Sequence, residues 1–245
     1  MKFKGDLTLP LAYNHILQSF IYHNIDDEPF RSTVHDVGFI AGNKHTKLFT
    51  FSRLIGTFVI DQKNKEIRFK SPVKWIVSGA SDEFLSNFID TVLKSNSLQL
   101  LGQKVDVAEF QPIFYNKELS RVQIEMLSPV TVYSTSKNNN KNFTSYYSPW
   151  DTSFNKLIRQ NMALKALAIG RKVEKSEINL TVTTIGDRNP KLEKIIMFKD
   201  TPVHGWYGNY VLSGDPYLIK LAYEAGLGGK NSEGFGCFKI LGNRE

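Results

Sequence analysis

Cysteine is nearly absent: Cys237 stands alone among 245 residues. No intrachain disulfide and no cysteine-based zinc site can form. Long apolar runs are missing too. No stretch approaches the ~18 residues of a membrane span, and Met1-Lys2-Phe3-Lys4-Gly5-Asp6 lacks the apolar core of a signal peptide. The expectation is a soluble, cytoplasmic protein with no membrane partner. Histidine is scarce, and His15, His23, His35, His45 and His204 show no metal-ligand spacing such as H-E-x-x-H. That predicts neither metal nor other cofactor.

Acidic residues are the minority, 24 against 31 Lys and Arg, for a net charge of +7. A basic excess favours a polyanionic partner, most often nucleic acid. Richness in lysine and asparagine, as in Lys137-Asn138-Asn139-Asn140-Lys141, also arises as compositional bias with no ligand behind it. The 41% hydrophobic content excludes wholesale disorder. The length suits one large domain or two small ones.

Periodicity points to two similar halves. In the first, residues 2–9 read as a strand and 13–24 as a helix with Ile16, Leu17, Phe20 and Ile21 inward. Residues 48–60 and 67–77 read as strands across a polar turn at 61–65. Ser81 caps a helix striped by Phe84, Leu85, Phe88, Ile89, Val92 and Leu93, and 105–114 closes the half as a strand. In the second half, 122–133 reads as a strand and 134–143 as a mobile polar loop. A helix over 152–169 stops at Gly170. Short strands follow at 178–185, 195–198 and 210–212. Asp215-Pro216 opens a helix ended by Gly226, and 235–241 is the last strand. Each half is thus β-α-β-β-α-β, and the expected fold is α+β with two tandem ferredoxin-like domains, 1–120 and 121–245.

The sharpest local signal is Gly226-Leu227-Gly228-Gly229-Lys230-Asn231-Ser232-Glu233-Gly234-Phe235-Gly236, five glycines in eleven residues. Glycine lets another backbone come close, and exposed N–H groups beside Lys230 and Ser232 suit a phosphate backbone. A nucleotide P-loop does not fit, because the segment follows a helix and precedes a strand. A tight helix-to-strand connection is the competing reading, and it would need fewer glycines.

A helix ending in Gly-Φ-Gly (Φ apolar), then x-x-x-Ser-x-Gly-Φ-Gly before a last strand, resembles the C-terminal signature of the CRISPR repeat-processing endoribonucleases, the Cas-six family. Leu9-Pro10-Leu11-Ala12-Tyr13-Asn14 with Leu17-Gln18-Ser19-Phe20-Ile21-Tyr22 resembles that family's opening helix. Val34-His35-Asp36 and Lys47-Leu48-Phe49-Thr50-Phe51-Ser52 resemble its next blocks. Residues 60–210 match only in element order. The resemblance implies tandem ferredoxin-like domains and metal-independent cleavage of CRISPR repeat RNA by 2′-hydroxyl attack. It also implies association with other CRISPR-associated proteins in an interference complex. A homodimer is left open. A non-catalytic RNA carrier of the same fold is the alternative.

Cutting RNA without metal needs a group to activate the 2′-hydroxyl, an acid for the departing 5′-oxygen and a cation for the phosphorane charge. The resemblance implies His35 as general acid/base, with Tyr22 and Lys47 beside it. Helical geometry bears on Tyr22 independently. At ~100° per residue it lies ~170° from the centre of the apolar stripe, on the polar face with His15 and Gln18. Candidate RNA-binding residues are Gly228, Gly229, Lys230, Asn231, Ser232 and Gly234 on the glycine segment. Lys137 and Lys141 on the polar loop, with Lys156, Arg159 and Lys165 on the next helix, offer a basic stripe, against which stands a plain solvated face. Trp206, Tyr207 and Tyr210 read as strand packing rather than base-stacking platforms, and Cys237 as buried and inert.

Overall fold

In a computed structural model, Leu7 and Leu9 alternate inward on β1 (Asp6–Pro10), followed by α1 (Asn14–His23) and a single helical turn, α2 (Glu28–Ser32). The structure describes residues 1–32, 38–41, 44–115, 118–138, 141–171 and 178–241, with Pro29, Lys44, Asn138 and Lys141 as backbone only. A small hairpin, β2 (Phe39–Ala41) with β3 (Lys44–Thr46), precedes β4 (Phe49–Phe51), β5 (Phe58–Asp61), β6 (Glu66–Lys70) and β7 (Val77–Gly79). Then come α3 (Asp82–Lys94), β8 (Gln99–Leu100) and β9 (Gln103–Lys104).

The two long strands expected at 48–60 and 67–77 form one bent hairpin. Phe58 pairs with Phe69, Ile55 bridges Lys74, and Phe51 pairs with Val77. Each strand breaks in the middle. Pro72 has no N–H to give a ladder, and Arg53 N–H turns away to the Leu127 carbonyl in the second half at 3.3 Å. The sheet order is β1-β6-β5. Where a strand over 105–114 was expected, only the bridge from Lys2 to Asp106 remains. The Gln103 amide does the pairing instead, accepting from Thr8 N–H at 3.1 Å and donating to Thr8 O at 2.7 Å. Phe110, Ile113 and Phe114 are exposed, outside any strand. The Ser81 cap is as expected: its hydroxyl accepts from Phe84 N–H, with Asp82 and Glu83 in the first turn and Lys94 in the last.

The second half runs β10 (Arg121–Met126), β11 (Tyr133–Asn138), β12 (Lys141–Tyr146), α4 (Ser153–Ala168) and β13 (Leu180–Thr184). It continues through β14 (Glu193–Phe198), β15 (Thr201–Trp206), β16 (Asn209–Gly214), α5 (Pro216–Ala225) and β17 (Phe238–Leu241). Its four-stranded antiparallel sheet has the order β13-β16-β10-β17. The first and third strands of the β-α-β-β-α-β unit lie in the middle, so the ferredoxin-like order holds. Two hairpins extend this frame. Of the residues expected as a loop, 134–138 lie within β11 and 141–143 within β12, where Thr135 pairs with Thr144 and Ser136 with Phe143. Residues 195–198 belong to the β14–β15 hairpin. The β11–β12 strands are rich in Ser, Thr, Asn and Lys and lack the apolar alternation that marks a half-buried strand, whereas β14 exposes Ile195 and Met197.

Two cores result. Leu7, Leu17, Ile21, Phe51, Phe69 and Phe84 fill the first, and Ile124, Phe154, Ile158, Leu212, Leu218 and Leu221 the second. A buried side chain of this size contributes about 1.5–3 kcal/mol. The halves are sewn together. Leu48 joins the second core, Ser78 Oγ donates to Tyr223 O at 3.1 Å, and Thr50 Oγ1 donates to Phe235 O at 2.9 Å. Among the described residues no helix is long and apolar enough to cross a membrane.

Candidate active site

Asn14, Gln18 and Tyr22 recur every four residues along α1 and therefore share one face. Asn14 is fully buried. Its Nδ2 donates to Glu233 O at 2.9 Å and Gly234 O at 3.2 Å, while its Oδ1 accepts from Arg53 at 2.8 Å. The Arg53 guanidinium also reaches Leu11 O and lies 3.8 Å over the Tyr13 ring. One turn on, Gln18 Nε2 donates to Ser232 O at 2.7 Å. The polar face of α1 is thus where the glycine segment docks.

One further turn brings Tyr22. Helical geometry put it on the polar face with His15 and Gln18, yet it is only 6% exposed. Tyr22 belongs to the first core, where Phe49 of β4 meets its ring edge-to-face at 5.9 Å. Lys47, between β3 and β4, donates from Nζ to Tyr22 Oη at 3.1 Å, with the ammonium 5.2 Å from the ring centroid. The structure therefore brings Tyr22 and Lys47 together. His35 lies outside the described residues.

The glycines of 226–236 have packing reasons. A Cβ on Gly236, at φ +79°, would fall 2.0 Å from Leu227 O, and one on Gly229 would fall 2.8 Å from the Tyr133 ring. The segment folds on itself through Leu227 N–H to Gly236 O, and onto its neighbours through Gly229 N–H to Thr131 O and Gly236 N–H to Pro129 O, each 2.9 Å. Asn231 is buried, its Nδ2 donating to Leu227 O and Phe235 O, so its side chain serves the loop. Gly228 and Gly234 are buried. Gly229, Lys230 and Ser232 stay partly open, and Lys230 pairs with Glu233 at 3.1 Å.

The basic stripe expected along α4 is split. Lys156 is exposed and Arg159 half-buried. Lys165 is 1% exposed and donates from Nζ to Gly226 O and to Gly228 O. Sequence reasoning placed this lysine in solvent; it fastens the glycine segment to α4. Burial drives its pKa down to about 7, while the two carbonyl acceptors favour the ammonium. Lys137 is exposed on β11, and Lys141 begins β12. Trp206 and Tyr210 are core residues, and Cys237 is buried with its thiol pushed up to about 12. A polar cluster that the sequence did not single out joins the hairpins: His204 Nδ1 meets Glu193 Oε1 at 2.7 Å, and its ring stacks on Tyr146 at 5.0 Å.

Comparison with known proteins accounts for nearly the whole chain. The model of the CRISPR-associated protein Cas6 N-terminal family matches residues 8–111, and that of the CRISPR associated protein Cas6 C-terminal family matches residues 111–240. The CRISPR-associated endoribonuclease Cas6 of Pyrococcus furiosus is 24% identical over 249 residues, covering 98% of this chain and 87% of that protein. The structure of a Cas6-related gene product from the same organism superposes with a TM-score of 0.83 at 19% identity, covering 100% and 96% of the two chains. Another, a CRISPR associated protein Cas6, gives 0.73 at 22%, covering 98% and 96%. A third, described as a RAMP protein binding different RNA substrates, gives 0.75 at 19%, covering 99% and 97%. At such identities the structural likeness is one of fold. The family models go further, and by them the chain belongs to the Cas6 family of CRISPR-associated proteins.

Proposed function

We propose that this chain is an endoribonuclease that binds CRISPR repeat RNA and cuts the precursor transcript within each repeat. The observation that carries the reading is the Lys47–Tyr22 pair, 3.1 Å apart and one helical turn from the point where Gln18 holds the glycine segment. Family membership and the name of the Pyrococcus relative as an endoribonuclease support it. In this reading residues 1–120 carry the catalytic side chains and 121–245 the RNA-binding loop.

The reaction is a transesterification. The 2′-oxygen attacks the adjacent phosphorus, the bond to the 5′-oxygen breaks, and a 2′,3′-cyclic phosphate and a 5′-hydroxyl result. The proton leaving the 2′-hydroxyl goes to a base, and the 5′-oxygen receives one from an acid. His35 is assigned one of these transfers, since imidazole titrates near neutrality. The Lys47 ammonium stabilises charge on the non-bridging oxygens, so no metal is required, and Tyr22 Oη orients Lys47 or the phosphate. Gly229, Lys230 and Ser232, the partly open residues of the glycine segment, meet the RNA backbone, Gly228, Asn231 and Gly234 shape the loop beneath them, and Lys137, Lys141 and Arg159 lie around it. The net charge of +7 steers the polyanion. The product RNA stays bound for transfer to other CRISPR-associated proteins.

The test is cleavage of the repeat RNA of its own locus in EDTA by wild type and His35→Ala, with product ends mapped. Cyclic-phosphate ends from wild type and bound, uncut RNA with the variant are expected. Equal cutting by both removes His35 from the mechanism. Tight binding with no cutting by either makes the chain an RNA carrier.

A further inference from the structure

Beside the glycine segment lies a groove of about 310 Å³ walled by β11, α4 and the Gly228–Gly229 backbone. That is the small end of the range for ligand sites, roughly 300–1,000 Å³. Tyr133 lines one side; Leu157, Asn161 and Leu164, spaced along one face of α4, line the other. Among the described residues no charged side chain lines it. The cations stand around it: Lys230 follows Gly229 directly and lies 5.6 Å from the Tyr133 ring, and Arg159 and Lys137 belong to the same helix and strand.

Asn161 is the anomaly. Its Oδ1 is buried with no hydrogen-bond partner among the described residues. A buried, unsatisfied amide oxygen is costly, and folded proteins rarely keep one. The side chain offers a donor and an acceptor together in an uncharged slot whose other polar side chains are Ser134, Thr135 and Gln160. That combination matches the edge of a nucleobase, which an asparagine amide can bind bidentately, with aromatic and apolar walls for its faces. A phosphate would need charge that the slot lacks.

We propose that this groove takes one unpaired base of the repeat RNA and that the Asn161 amide reads it. The proposal rests on the endoribonuclease reading and gives it a specificity determinant. Gly229 and Ser232 are three residues apart, at most about 11 Å, and Gln18, bound to Ser232, is one turn of about 5.4 Å from Tyr22. The base so held lies a few nucleotides from the cut.

The experiment measures dissociation constants of wild type, Asn161→Ala and Asn161→Leu for repeat RNAs in which each base flanking the cut is replaced singly. Wild type is expected to lose roughly 5- to 140-fold at one position, and both variants to lose that discrimination while melting no lower than wild type. An unchanged profile in the variants, or no discriminating position in wild type that still binds, overturns the base pocket and leaves the nuclease reading intact. No RNA binding by wild type overturns both. Lower melting of both variants with the profile kept makes Asn161 a packing residue and overturns the proposal.

Discussion

Gln18 donates to the carbonyl of Ser232 at 2.7 Å across 214 residues of sequence. Beside it Asn14 spans 219 to reach Glu233. These amides join the first helix to the glycine segment and fix where the segment lies relative to Lys47 and Tyr22. Both act on carbonyl oxygens and leave the rim of the loop open.

Asn14→Ala is therefore expected to destabilise the whole chain. It removes the donor from two carbonyls and one acceptor from the half-buried Arg53 guanidinium, which keeps Leu11 O. A loss of about 2–4 kcal/mol is expected from unsatisfied buried groups, read as a lower urea midpoint. Gln18→Ala, one turn on and only partly buried, should cost about 1 kcal/mol.

Tyr22→Phe and Lys47→Ala separate the members of the pair. The phenylalanine keeps the edge-to-face contact with Phe49 and loses only the hydroxyl. Lys47→Ala should lower the single-turnover cleavage rate by about 10²–10³ and Tyr22→Phe by less, with repeat RNA still bound. Wild-type rates in both variants would remove the pair from the chemistry.

Gly236→Ala should prevent stable folding, while Gly5→Ala should be mild. Both have positive φ, +79° and +73°, but only at Gly236 does the new methyl meet backbone, Leu227 O at 2.0 Å. Strain alone costs about 1–2 kcal/mol, and the clash adds to it. Thermal melts of the two variants separate conformation from contact.

Lys165 gives a pH dependence of definite sign. The folded chain releases its proton near 7 against 10.5 unfolded, so unfolding takes up a proton in between and stability rises with pH across that window. Urea midpoints at pH 7 and 9 should show this increment in wild type, and Lys165→Met should lack it. An equal increment in the variant would assign the slope to other groups.

Local chemistry that repeats in space was legible. Ser81 and the stripe of Phe84 and Phe88 announced α3, and the glycine spacing announced the segment that buckles the halves. What escaped depends on what covers a face. Periodicity located Tyr22 opposite the apolar stripe, but Phe49 and Lys47, distant in sequence, cover that side. Lys165 carries no local sign of burial, because its two acceptors are backbone carbonyls 61 and 63 residues away. The β11–β12 hairpin carries only Tyr133, Phe143 and Tyr146 among Ser, Thr, Asn and Lys, so no apolar alternation betrays it. The base-sized groove joins a strand, a helix and a loop distant in sequence.

The glycine buckle also orders events during synthesis. The face of α1 that carries Asn14 and Gln18 leaves the ribosome first, and its partners at 232–234 emerge more than 200 residues later. Contacts of such separation close late, after the local helices and hairpins have formed. A nascent chain thus has Tyr22 and Lys47 in hand but nothing to set them against, and the site takes shape only once residues 232–234 have emerged.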